Sequence, residues 1–431
     1  MLGTLIMPGR DPLAILTKFA RRYGDITYFR MSGERVFFVN HPDHVRQVLV
    51  TDNGKFAKSR ALERARKLLG DGLLTSERSS HQRKRRLVQP AFHRAQVAGY
   101  AGTMVERTGR MTARWHDGQQ LDIAREMARL TLSIAASTFF DADLDDDADS
   151  VGSALTDVLE SFWLLLLPFS DAIHALPLAA VRRSRAGRTR LDALIYRMVA
   201  ERRQARRACP DVLAMLIDAG EDADAALSDR EIRDEMMTLL LAGHETTANA
   251  LMWTWYLLSQ SPGVRQRMME EVDRVLGGRL PEAGDVPSLI TVTNVVVESM
   301  RLYPPAWTIG RRATEDAEIG GYRLPAGAMV FMSQWTMHRD PRFYSDPDRF
   351  LPERWTPAFR AALPRHAYFP FGGGTRQCIG ESFAWTEMVL VVAAVAQRWT
   401  LDLVPGHPVV PQPLLTLRSK HGMRMIPHRR G

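Results

Sequence analysis

The sequence predicts a mainly α-helical protein with a small β-rich part. Three observations carry this. Apolar residues recur at helical spacing over long stretches, most clearly in Ser228–Gln260 and Ile379–Trp399. Strand-like alternation is confined to short segments, chiefly Asp25–Asn40. Between Pro281 and Pro370, helical spacing gives way to stretches punctuated by Pro and Gly.

In chain order, Asp25–Asn40 alternates around Ser32-Gly33 and reads as a β-hairpin, and Asp43–Val50 begins like a capped short helix. Ser80–Gln96 is intensely basic with helical spacing, and the acidic run Asp141–Asp149 reads as a solvated loop. Phe162–Phe169 is an apolar patch broken by Pro168, and Arg182–Arg207 is a basic, exposed helix. Asp211–Ala219 and Ser228–Gln260 are helical; Ser228 with Glu231 three positions on forms a capping box. Thr293–Leu302 is a helix that stops before Pro304-Pro305. A small sheet follows at Ile319–Met332. Ile379–Trp399 is apolar on nearly every face, as a buried helix is.

A length of 431 residues suits two domains, or one large helical domain enclosing a cofactor. With 45% hydrophobic and 25% charged residues, the composition is that of a soluble globular protein. The net charge of +8 is modest and mostly a solvated surface. It would also suit an acidic protein partner, an anionic membrane or nucleic acid. No nucleic-acid-binding module is present, which argues against the last. Cys209 and Cys378 cannot build a disulfide framework, so a reducing, cytoplasmic setting is expected. Met1–Met7 is too short for a signal sequence, and no apolar run approaches the roughly 20 residues of a transmembrane anchor.

The segment Phe371-Gly372-Gly373-Gly374-Thr375-Arg376-Gln377-Cys378-Ile379-Gly380 carries the strongest chemical signal. Successive glycines allow positive φ and close approach of the backbone to a ligand. Cys378 would sit at a helix N-terminus, where the macrodipole favours thiolate. Gly380 leaves room for a flat macrocycle, and Arg376 offers a cation for one of its carboxylates. The bland alternative is a buried, inert cysteine. Zinc is disfavoured, because no second cysteine or histidine cluster lies nearby.

This loop resembles the haem-binding signature of the cytochrome P-450 family at Phe371, Gly374, Arg376, Cys378 and Gly380. The resemblance extends over nearly the whole chain. Ala242-Gly243-His244-Glu245-Thr246-Thr247 is similar to the family's oxygen-activation motif. Glu298 and Arg301, with the later Arg354, resemble its structural Glu-Arg-Arg cluster. His81 and Arg85 match positions that reach the haem propionates, as does Arg311, with Arg312 beside it.

The resemblance implies one mainly α domain spanning residues 1–431, with its β-rich part mainly from residues 20–60 and 305–335. Haem b would lie between the long central helix and the helix after the Cys loop, with Cys378 as its axial ligand and Phe371 packed beside it. Thr246 would hydrogen-bond dioxygen and Glu245 would carry protons toward it. The implied activity is a monooxygenase that hydroxylates or epoxidises a hydrophobic small molecule, such as a terpenoid, polyketide or fatty acid. Ala242, Thr246, Trp307 and Ile309 would face the substrate. Electrons would come from a ferredoxin or flavodoxin with an NAD(P)H-dependent reductase, docked on a basic face that includes Arg83, Lys84 and Arg86. The segment Phe162–Leu178 falls where the family places a lid; it could line the channel, touch a membrane or mediate self-association. A peroxygenase or isomerase is the nearest rival, although both normally dispense with the acid–alcohol pair. A non-catalytic haem sensor is the rival from another class.

Overall fold

A 31-residue helix, Asp229–Ser259, crosses the core of the computed structural model, which describes residues 11–431 except 32, 145–146, 163, 165–174, 206–210 and 222–226. Its start is the predicted capping box: the Ser228 hydroxyl accepts from the Glu231 N–H, and the Glu231 carboxylate accepts from the Ser228 N–H. Nearly every side chain from Ile232 to Leu258 is buried, including Trp253 and Trp255. The helix packs on Ile123–Phe140, Ile290–Leu302 and Glu381–Ala396, and these share the largest hydrophobic core.

The buried C-terminal helix is shorter at both ends than Ile379–Trp399. Residues 379 and 380 finish the preceding loop, and Trp399 opens the strand Trp399–Leu403. The basic stretch Ser80–Gln96 is divided into a helix Arg78–Val88, a tight turn Gln89–Phe92 around Pro90, and the start of Arg94–Thr112. Pro90 has no N–H to continue an α-helical ladder, which accounts for the break. The acidic run is not simply a solvated loop. Asp149 lies in the helix Ala148–Glu160 and pairs with Arg125 and Arg129. The apolar patch within Phe162–Leu178 falls largely outside the described residues; Leu176 and Leu178 beside it are exposed.

The predicted hairpin is present as Ile26–Met31 antiparallel to Glu34–Val39, with Gly33 at φ 84° in the turn. It is the edge of a five-stranded sheet in the order Ile26–Met31, Glu34–Val39, Met329–Met332, Ile309–Ala313, Phe56–Lys58. Only the last strand of the sheet expected at Ile319–Met332 joins it, by parallel pairing with Glu34–Val39. Ala317–Ile319 and Tyr322–Leu324 form a separate hairpin. No described helix is long and apolar enough to cross a membrane.

Candidate active site

The Cys loop is built on close backbone contacts. Gly374, at φ 69°, lies so near the Leu49 carbonyl that an added Cβ would be 1.9 Å from its oxygen. Gly372 is also at positive φ, as the glycine run allows, whereas Gly373 is extended. The Cys378 N–H donates to the Phe371 carbonyl at 3.0 Å, closing the loop onto itself. Phe371 meets Trp385 edge-on at 5.3 Å.

Cys378 lies deep among protein atoms, yet its side chain keeps accessible surface, so it looks into an internal space. Burial pushes its thiol up to about 11, against the pull of the Gly380 N–H and of Arg85. The expected preference for thiolate at the helix N-terminus is therefore outweighed by desolvation in the protein alone. A metal cation at the sulfur reverses that balance, because it stabilises the charged form directly. A deep thiol with accessible surface, with the Gly380 N–H directed at it and the Arg85 charge nearby, fits a thiolate-ligated iron.

A chain of aromatic contacts links the long helix to this loop. A Cβ on Gly243 would stand 3.3 Å from Phe139, which packs on Phe383 and Phe92 at 4.8 and 5.4 Å. Phe92 in turn borders Gly380. Here the Thr246 hydroxyl donates to the Ala242 carbonyl at 2.7 Å. Ala242 and Thr246 also keep accessible surface in an otherwise buried stretch. His244 is fully enclosed, and burial lowers it to about 4. Glu245 departs from the simple expectation of a free proton carrier. Its Oε1 accepts from Thr416 Oγ1 and Arg418 Nε, both at 2.5 Å, while Oε2 is buried without a protein partner. Thr416 and Arg418 were not visible as site residues in the sequence.

A buried basic cluster lies beside the loop. Arg85 donates to the Gln377 carbonyl at 2.7 Å. Arg376 donates to the Phe56 carbonyl at 2.8 Å and to Glu77 at 2.6 Å. His81 is lowered to about 4 by burial, then by Lys58, Arg376 and Arg85. Arg311 is 8% exposed and lowered to about 10, by burial and then by Arg376. Its side chain donates to the Gly310 carbonyl and reaches no carboxylate within ion-pair distance among the described residues. Arg312, on the other face of the strand, pairs with Glu63, so it is Arg311 that belongs to the cluster. Lys58, unmarked in the sequence, is a further member; burial lowers it to about 7. Such mutually repelling buried cations call for anions, and the propionates of a haem supply them.

The structural cluster is assembled as expected. Glu298 accepts from Arg301 through both oxygens at 2.8 Å, from Arg354 at 3.0 Å and from the Trp355 indole at 2.8 Å. Ile309 lies against Gly372, within 3.4 Å of a Cβ placed there. Trp307 instead packs with Leu16, Phe19 and Phe29 and donates to the Leu414 carbonyl. Lys84 is buried and donates to the Asp71 carbonyl, so it cannot form part of a docking face. Arg83 is held by Glu231, and Arg86 is exposed.

The sequence profile described as "Cytochrome P450" matches residues 1–424. Among similar proteins, cyclooctatin synthase of Streptomyces melanosporofaciens is 39% identical, covering 100% of this chain and 94% of that protein. Cyclooctat-9-en-7-ol 5-monooxygenase of the same organism is 35% identical over 94% and 88%. Pentalenene oxygenase of Streptomyces avermitilis is 33% identical over 96% and 92%. A crystal structure of a cytochrome P450DA heme domain superposes with a TM-score of 0.88 at 28% identity, covering 98% of this chain and 94% of that one. The Cys loop, the buried basic cluster beside it and these likenesses agree: the chain belongs to the cytochrome P450 family and is a monooxygenase, an oxidoreductase.

Proposed function

We propose that this protein binds haem b through Cys378 and places one atom of dioxygen into a hydrophobic small molecule of terpenoid type. The observation that carries the reading is the deep but accessible sulfur of Cys378, beside the basic cluster of Arg85, Arg311 and Arg376. Bound there, haem held by the Cys378 thiolate would supply the activation of dioxygen. Arg85, Arg311 and Arg376, with His81 beside them, would hold its propionates. Gly372 and Gly374 shape the loop, Phe371 packs beside it, and Gly380 directs its N–H at the sulfur. Thr246 orients dioxygen, and Glu245, once released from Arg418, passes protons toward it. Ala242 and Ile309 border the substrate.

The balance is one substrate, one dioxygen, two electrons and two protons giving oxygenated product and water. The electrons come from a separate ferredoxin or flavodoxin with an NAD(P)H-dependent reductase, in the cytoplasm, and Arg86 contributes to the face that receives it. The names of the three relatives above, two on the cyclooctatin route and one acting on pentalenene, support a terpenoid substrate. The whole chain is taken as one domain.

Turnover of a terpenoid library under ¹⁸O-labelled dioxygen with carrier and reductase tests this. One labelled atom per product is expected. Product formed from hydrogen peroxide alone, with none from carrier and dioxygen, would make the enzyme a peroxygenase.

A further inference from the structure

Glu77 occupies an unexpected place. It precedes the basic helix Arg78–Val88 but does not cap it through its side chain. Its Oε2 accepts from Arg376 Nη2 at 2.6 Å, and its Oε1 accepts from the Lys58 N–H, so the carboxylate is fixed from two sides. It is also the carboxylate felt by Lys58, His81 and Arg311, raising all three. One acidic residue therefore sits inside the basic cluster, on the arginine of the Cys loop.

We propose that Glu77 is a positioning residue that competes with a haem propionate for Arg376, and so sets how firmly haem is held and how readily it is reduced. This rests on the reading of the space beside Cys378 as a haem site. The charges are consistent with it. Four cations of the cluster, Arg85, Arg311, Arg376 and Lys58, stand against Glu77 and a pair of propionates, four positive against three negative. Without Glu77 the cluster would hold a larger excess of positive charge on the cofactor. With it, Arg376 is shared, and one propionate loses a charge-assisted hydrogen bond. A nearby anion also disfavours the addition of an electron, which lowers the reduction potential.

Glu77→Gln separates this from a purely structural tie. The amide oxygen can still accept from the Lys58 N–H, while the charge is gone. Haem transfer from the ferric holoenzyme to excess apomyoglobin is expected to slow on the order of tenfold, the worth of one charge-assisted hydrogen bond. The reduction potential is expected to become more positive. Equal or faster haem loss at an unchanged potential would overturn the proposal and leave Glu77 as a strut between the helix and the loop. Should that variant fail to fold, Glu77→Asp keeps the charge but withdraws it from Arg376. Slower haem loss at a near wild-type potential is then expected, and unchanged or faster loss overturns the proposal. A wild-type protein that holds no haem would instead sink the haem reading itself.

Discussion

The carboxylate of Glu245 and the guanidinium of Arg418 meet at 2.5 Å, although 173 positions separate them in the chain. The acid next to Thr246 is thus held by the strand Leu417–Ser419, with Thr416 as its second donor. Arg418→Gln leaves a buried carboxylate short of its charge partner. It should destabilise the protein by about 3 kcal/mol in urea unfolding, as breaking a buried pair does. Glu245→Gln in the same background should recover part of that loss. A double-mutant cycle with no coupling energy would show the pair to be energetically idle.

Gly374→Ala puts a methyl group into the Leu49 carbonyl at a backbone angle that L-residues avoid. The loop must shift. Haem content after purification should fall severely, and stability by about 3 kcal/mol or more. Gly102→Ala, in open space on a helix, should leave haem content unchanged and raise stability by up to about 1 kcal/mol.

Glu298→Ala leaves the fully buried Arg301 without its carboxylate. A loss of about 3–5 kcal/mol is expected, read as a lower urea midpoint. Because the cluster only holds the segment around Leu351 and Trp355, any folded fraction should keep its substrate preference.

His244 is buried with its pKa lowered to about 4 from 6.5. In this window the unfolded chain binds a proton that the native protein refuses, so stability falls as pH drops from 6.5 to about 4. His244→Gln should make that slope shallower by up to one proton. An unchanged slope in pH-dependent urea titrations would show that His244 accepts the proton when folded.

What could be read in the sequence follows from distance along the chain. The Ser228 cap, the Asp25–Asn40 hairpin, the Cys378 loop and the Glu298–Arg301 pair are local patterns, and each stands where its spacing placed it. Arg354 was legible through family resemblance alone, since nothing local ties it to Glu298. Nothing in the sequence marks Lys58, Glu77, Thr416 or Arg418 as site residues. Their roles come from pairings across tens to hundreds of positions, which no local periodicity records. Lys84 misled for the opposite reason: a basic run suggests a solvated face, yet its helix turns this lysine inward onto Asp71 and Glu235.

The central claim is that Cys378 ligates haem iron as a thiolate. The most direct measurement is the absorption spectrum of the reduced protein with carbon monoxide. A Soret band at the strongly red-shifted position of thiolate-ligated haem, absent in Cys378→Ala, is the expected result. Folded wild-type protein without haem, or the same band in the alanine variant, would contradict it.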